Sequence, residues 1–201
     1  QTWERIKAET KSYKMNKALE LVYAMATAVP VTLEEVADKI VISISELIHV
    51  PIVALGYVEK NEFRKITQII NKELMHFPVM SLEYHPCGLV YKERHLFQIT
   101  ANLNQLYPTY MEKFPAMRSY FGVPVTSSKG KILASICILD QKERSFSDFE
   151  KHLIEIFAGY VGYEIERKQM ERQLLQSQEM KMLGQLTSGV AHEVRNPLNG
   201  I

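Results

Sequence analysis

The feature that most limits what this chain can fold into is a helical run with no proline from residue 148 to residue 196. Ser147-Asp148-Phe149-Glu150 opens it as a capping box, in which the serine hydroxyl takes a free N–H of the first turn and the glutamate returns to the cap. Apolar residues then recur at 153, 156, 157, 160 and 163, the spacing of one helical face. A helix of this length outruns one globular domain, so its apolar stripe has to be buried against something outside that domain. Ile156, Tyr160, Tyr163, Met170 and Leu174 follow alternating steps of three and four, with Arg167 as an interruption. Leu183, Leu186 and Val190 continue in a different phase, and the change falls near Ser177 to Glu179. The spacing predicts a parallel two-stranded coiled coil; the plainer reading is a surface helix with a ragged stripe.

The chain has 201 residues, enough for one core plus extended helices. Apolar residues make up 46% and the formal net charge is +1, so nothing steers the chain toward nucleic acid or an anionic membrane. No apolar run is long enough to span a bilayer, and the first residues do not read as a signal peptide. The expectation is a cytoplasmic piece of a longer protein, whose parent is anchored upstream or not at all. Cys87 and Cys137, with no metal-ligand spacing, are expected as free thiols of a reducing compartment, and no metal is expected.

Residues 2–28 read as a helix ended by Pro30, and Thr32-Leu33-Glu34-Glu35 caps a second that runs to about Ile48. "PIVALGYVEK" and "FRKITQIIN" read as a hairpin turning at "NE". A short helix is expected from Pro86-Cys87-Gly88 to near His95, then a strand at "LFQIT" and a long loop at "NLNQLYPTYMEKFP". "MRSYFGVPV" and "KILASICILD" are strands joined by the turn "SSKG".

The span from about residue 20 to 167 resembles a GAF domain. The resemblance is carried by Tyr120-Phe121-Gly122-Val123-Pro124-Val125, the turn at Lys129-Gly130, the strand ending Ile138-Leu139-Asp140, and Arg144-Ser145-Phe146-Ser147-Asp148-Phe149. It implies an α+β fold: an antiparallel sheet with the first, second and last helices on one face. The irregular middle segment would cover the other face and wall a small-molecule pocket. Tyr84, His85, Cys87 and Tyr120 are the groups expected near that pocket, whose ligand is unknown. His85 beside a proline also reads as a turn residue, and Cys137 as inert core. Cys87 at a helix start is the more reactive thiol, which leaves redox sensing open. Cys87 is followed by Gly88, which argues against the Cys-His bilin attachment of phytochrome-type members.

The closing stretch resembles the phosphoacceptor box of sensor histidine kinases. Gly184-Gln185-Leu186, Gly189-Val190-Ala191-His192-Glu193 and Arg195-Asn196-Pro197-Leu198 stand in its register. The chemistry suits the residues on its own terms. Imidazole is a nucleophile near neutral pH, and an adjacent carboxylate can hold or accept its proton. The resemblance makes His192 the phosphoacceptor, Glu193 its base and Asn196, one turn on, a residue that positions water for hydrolysis. Pro197 weakens the helix past the nucleophile. A zinc-protease reading fails because position 196 is Asn where a second histidine is needed.

The expected organisation is an N-terminal helix or linker at 1–19, a GAF sensor at 20–167, a signalling coiled coil at 168–183 and the start of the phosphoacceptor domain at 184–201. The parent is expected to be an ATP-dependent protein-histidine kinase, active as a homodimer through its N- and C-terminal helices and passing phosphate to a response-regulator receiver domain. ATP and Mg²⁺ would belong to a catalytic domain outside this chain, and the chain alone would be inactive. The rival expectation is a non-enzymatic ligand-binding or dimerisation module.

Overall fold

The computed structural model describes residues 2–27, 32–59, 62–75, 80–81 and 85–198, with the backbone alone at 59, 65, 80, 81 and 184–198. The chain divides into two compact units, residues 1–164 and 165–201.

The first unit opens with α1 (Thr2–Thr27) and α2 (Leu33–Ile48). Both arms of the expected capping box form at α2: the Glu35 N–H donates to the Thr32 hydroxyl and the Thr32 N–H to the Glu35 carboxylate. Val36, Ile40 and Ile44 recur every four residues and are fully buried, so the sequence period becomes a packed helix face. α1 buries few side chains, among them Ala18 and Met25.

The described strands form a seven-stranded antiparallel sheet. They are β1 (Ile52–Glu59), β2 (Glu62–Ile70), β3 (Glu73–Met75), β4 (Met80–Ser81), β5 (Phe97–Ile99), β6 (Ser119–Thr126) and β7 (Ile132–Asp140). The order is β3-β2-β1-β7-β6-β5, with β4 also paired to β2. Glu59 pairs with Glu62, so Glu62 of the expected "NE" turn already belongs to β2, and Asn61 lies outside the described residues. A bulge beside Leu55 and Gly56 shifts the β1–β2 register. The second hairpin turns where expected: the Gly130 N–H donates to the Ser127 carbonyl, and φ at Gly130 is +74°, a conformation a side chain resists.

Period-two alternation divides the sheet into two faces. Val53, Leu55, Ile136, Ile138, Phe121 and Val123 point one way, and Ile52, Ala54, Cys137, Leu139 and Tyr120 the other. α2 packs on β1 and β2. Thr67 of β2, paired with Leu55, donates its hydroxyl to the Asp38 carboxylate of α2, which places α2 over the first face.

The second face is covered by α3 (Cys87–Glu93), α4 (Leu103–Leu106) and α5 (Pro108–Met111). The segment read as a long loop thus holds two four-residue helices. Pro108 begins α5, where its fixed φ suits a first helical turn. Helices this short carry too few residues to print a period on the sequence, which is why the reading missed them. The short β3 and β4 escaped for the same reason.

α6 (Asp148–Leu198) begins with its expected capping box: the Ser147 N–H donates to the Glu150 carboxylate, and the Glu150 N–H to the Ser147 hydroxyl. In the first unit it buries Leu153, Ile154, Phe157, Ala158 and Val161. A Cβ at Gly162 would collide with the carbonyl of Thr126, so the helix passes β6 too closely for any side chain. Arg144 ties the connector together by bonding both Asp140 and Glu150, with its guanidinium 4.6 Å from the Phe146 ring centroid. Burial alone would raise the Glu150 carboxyl. Bonds from Ser147 and Arg144 outweigh it and hold the group below its ordinary range.

In the second unit α6 is one helix with exposed apolar residues: Met170, Leu174, Leu175, Met180, Met182 and Leu183. Among the described residues no helix is long and apolar enough to cross a membrane.

Candidate functional site

The second face is unlike the first in chemistry. Phe63 of β2, His85, Cys87 and Val90 of the α3 region, Tyr110 of α5, Phe114 and Tyr120 of β6 are all buried there. The His85 ring stacks on Phe63 with centroids 4.8 Å apart, and Tyr110 meets His85 edge-on at 4.4 Å. The backbone N–H of Cys87 donates to Nδ1 of His85 at 3.1 Å. That bond sets the tautomer: Nδ1 is the acceptor, so the neutral ring carries its proton on Nε2.

Tyr120 and Gly122 stand on this face of β6. A Cβ at Gly122 would overlap the Tyr120 hydroxyl and Val90, so the missing side chain is what lets the ring fold along its own strand under α3. The Tyr120 hydroxyl donates to the sulfurs of Cys87, at 3.3 Å, and Cys137, at 3.5 Å. Those two cysteines are joined as a disulfide across 50 residues of sequence. This corrects the expectation of two free thiols, and of Cys137 as inert core. β7 turns Cys137 onto the same face that α3 covers with Cys87, a meeting that no sequence spacing reveals.

The phenols stay neutral. Burial pushes Tyr91 up to about 12. Burial also raises Tyr107 and Tyr110. Burial raises Tyr120 well above the usual phenol range, with Tyr110, Tyr107 and Tyr91 adding to it. Near neutral pH the groups packed on this face are therefore protonated phenols, an imidazole, two sulfurs and aromatic rings.

Of the four residues expected here, His85, Cys87 and Tyr120 come together, and Tyr84 lies outside the described residues. Sequence reasoning missed Phe63, Tyr91, Tyr110, Phe114 and the role of Cys137. The one available signal was the aromatic density of 107–114 within a supposed loop. Elsewhere, a cavity of about 760 Å³ opens beside Glu46, His49, Lys72 and Lys142. His49, Asn71 and Lys72 there all hold positive φ, which the sequence did not announce.

His192, Glu193 and Asn196 fall within the helical backbone of α6, and their side chains lie outside the described residues. The continuous helix places Asn196 one turn beyond His192.

The GAF domain family model matches residues 32–165. The structure is similar to the GAF domain of a phosphoenolpyruvate-protein phosphotransferase from Coxiella burnetii, 17% identical, with a TM-score of 0.63, covering 80% of this chain and 98% of that one. It is similar to the corresponding Acinetobacter GAF domain, 14% identical, with a TM-score of 0.63, covering 79% and 95%. A phycocyanobilin-bound GAF domain from a cyanobacterial phytochrome is 9% identical, with a TM-score of 0.60, covering 80% and 96%. At these identities the likeness is one of fold. A stretch of 36 residues, 18% of this chain, is 53% identical to sporulation kinase A of Bacillus subtilis (strain 168); the chain spans 6% of that relative's length.

Proposed function

The chain belongs to the GAF domain family, and on that premise we propose that it is the sensory and phosphoacceptor part of a cytoplasmic two-component protein-histidine kinase. One observation supports the reading: the stretch from Gly184 to Leu198 that resembles a phosphoacceptor box lies on the same continuous helix that leaves the GAF domain. The local likeness to a sporulation kinase supports it.

His192 is the nucleophile. Its ring nitrogen forms a bond to the γ-phosphorus of ATP as the bond to the ADP oxygen breaks, and Glu193 accepts the proton from the other ring nitrogen. ATP and Mg²⁺ are held by a catalytic domain of the parent, and the phosphoryl group passes to an aspartate of a response-regulator receiver domain. Asn196 positions water when the phosphoryl group is hydrolysed.

The active form is a homodimer through α1 and α6. Trp3 and Tyr23 on α1, and Tyr163, Met170 and Leu174 on α6, are apolar and exposed in the single chain, as a seam awaiting its partner must be. The aromatic face senses a small molecule, and its occupancy shifts the populations of kinase and phosphatase states.

The test uses the full-length parent with γ-labelled ATP and Mg²⁺. The native protein is expected to take up acid-labile, alkali-stable label and the His192→Gln variant none. Label persisting on that variant overturns the assignment. A native parent that takes up no label favours the non-enzymatic binding or dimerisation module.

A further inference from the structure

The two cysteines sit where a reversible bond would matter. Cys87 lies in the first turn of α3, and Cys137 near the centre of the sheet, on the strand between β1 and β6. α3 has seven residues, too few to hold a helix by itself. It is held against the sheet by packing on β5, β6 and β7, with Cys87 and Val90 buried, and by the bond from Cys87 to Cys137.

The surroundings of the sulfurs point the same way. The Tyr120 hydroxyl donates to both, and the Ser135 hydroxyl lies 3.6 Å from Cys137 Sγ. A buried thiol in purely apolar surroundings resists ionisation and is inert. Hydroxyls aimed at the sulfur favour the thiolate, the form that reacts. Burial keeps the Tyr120 phenol protonated, so it remains a donor throughout.

We propose that Cys87 and Cys137 form a reversible thiol–disulfide site, oxidised by a hydroperoxide, whose bond latches α3 over the second face of the sheet. The gating of a ligand by this latch rests on the reading of that face as the sensory one; the bond itself does not. In the reduced chain α3 opens locally and admits the small oxidant. One thiol gives up its proton and its thiolate attacks the peroxide oxygen: an S–O bond forms, the O–O bond breaks, and the hydroxide or alkoxide takes that proton and leaves as water or an alcohol. The second thiol likewise gives up its proton and its thiolate attacks that sulfenic sulfur: the S–S bond forms, the S–O bond breaks, and the hydroxide takes the proton and leaves as water. Two thiols are oxidised and one hydroperoxide is reduced, two electrons on each side. A dithiol reductant reverses the bond. Closed, the latch holds Val90 over Gly122, with His85 between Phe63 and Tyr110. Open, it exposes the phenols and the imidazole.

The experiment takes this chain reduced, treats it with hydrogen peroxide, quenches it in denaturant with a maleimide, and reads the mass. Reduced protein is expected to carry two labels, and peroxide-treated protein none, with no shift to a dimer mass. Two labels after treatment, or a loss of labels that a dithiol cannot restore, overturns the proposal. Hydrogen exchange gives the second readout. Amides of 87–93 are expected to exchange at least tenfold faster in the reduced chain, with β1 and β7 unchanged. Equal exchange in the two states overturns the latch even where the bond forms. Neither readout uses ATP, His192 or a ligand, so failure here leaves the kinase reading standing, and the reverse also holds.

Discussion

The two faces of the sheet are built from the same strands and stabilised in different ways. Under α2 lie aliphatic side chains, Val53, Leu55, Ile136 and Ile138, facing a helix with a regular four-residue period. Under α3, α4 and α5 lie phenols, an imidazole and two sulfurs, packed by short helices with no period. The first face is stabilised mainly by apolar area, with the bond from Thr67 to Asp38 beside it, and among the described residues it holds no sulfur. The second holds groups that titrate, donate hydrogen bonds and change covalency. A fold that must be stable and also responsive has placed the two demands on opposite sides of one sheet.

The sharpest way to break this comparison is alkali. Unfolded phenols release protons from about pH 10, while folded Tyr91 holds its proton to about 12. In that interval the unfolded chain binds fewer protons than the folded one, so stability is full below pH 10 and falls as pH rises through the folded value. Tyr110 and Tyr120, raised in the same direction by burial, add to the fall. Circular dichroism along a pH series is expected to show cooperative unfolding in this window, and Tyr91→Phe to flatten the limb. An unchanged limb in that variant would mean that the second face is not what alkali attacks.

Truncation probes the first face. Ile40 is fully buried on the sheet side of α2, so Ile40→Ala is expected to cost about 3 kcal/mol in urea unfolding, with no pH dependence between 5 and 9 beyond that of the native chain. Below that in size stands the cap. Thr32→Ala removes the acceptor of the Glu35 N–H and is expected to cost about 1 kcal/mol, read the same way.

The same contrast decides what the sequence could tell. α2 was legible because its cap, its period and its length all agree. The β6–β7 hairpin was legible because its strand pattern and a turn at Gly130 coincide. The second face was legible only as a list: His85, Cys87 and Tyr120 were named without their neighbours. Tyr110 hid in a segment whose helices are too short to leave a period. The Cys87–Cys137 bond hid because it depends on tertiary placement across 50 residues. Local rules read local elements, and a site assembled from α3, α5, β2, β6 and β7 is not local.

The smallest expected effect separates structure from responsiveness on the second face itself. Tyr120→Phe keeps the ring over Gly122 and removes only the hydroxyl that donates to both sulfurs. Sulfur is a weak acceptor, so the loss in stability is expected to be about 0.5 kcal/mol, the low end for a buried hydrogen bond. Ring area dominates the packing, and it is unchanged. The thiolate, by contrast, loses its donor, so oxidation of the reduced variant by peroxide is expected to slow several-fold while its urea midpoint hardly moves. A variant that unfolds readily would make the hydroxyl a structural bond, and the second face would then be a core like the first. A variant of native stability that oxidises at the native rate would leave the sulfurs reactive for a reason other than Tyr120. Slow oxidation at near-native stability is the result that makes this face a chemical surface built on an indifferent scaffold.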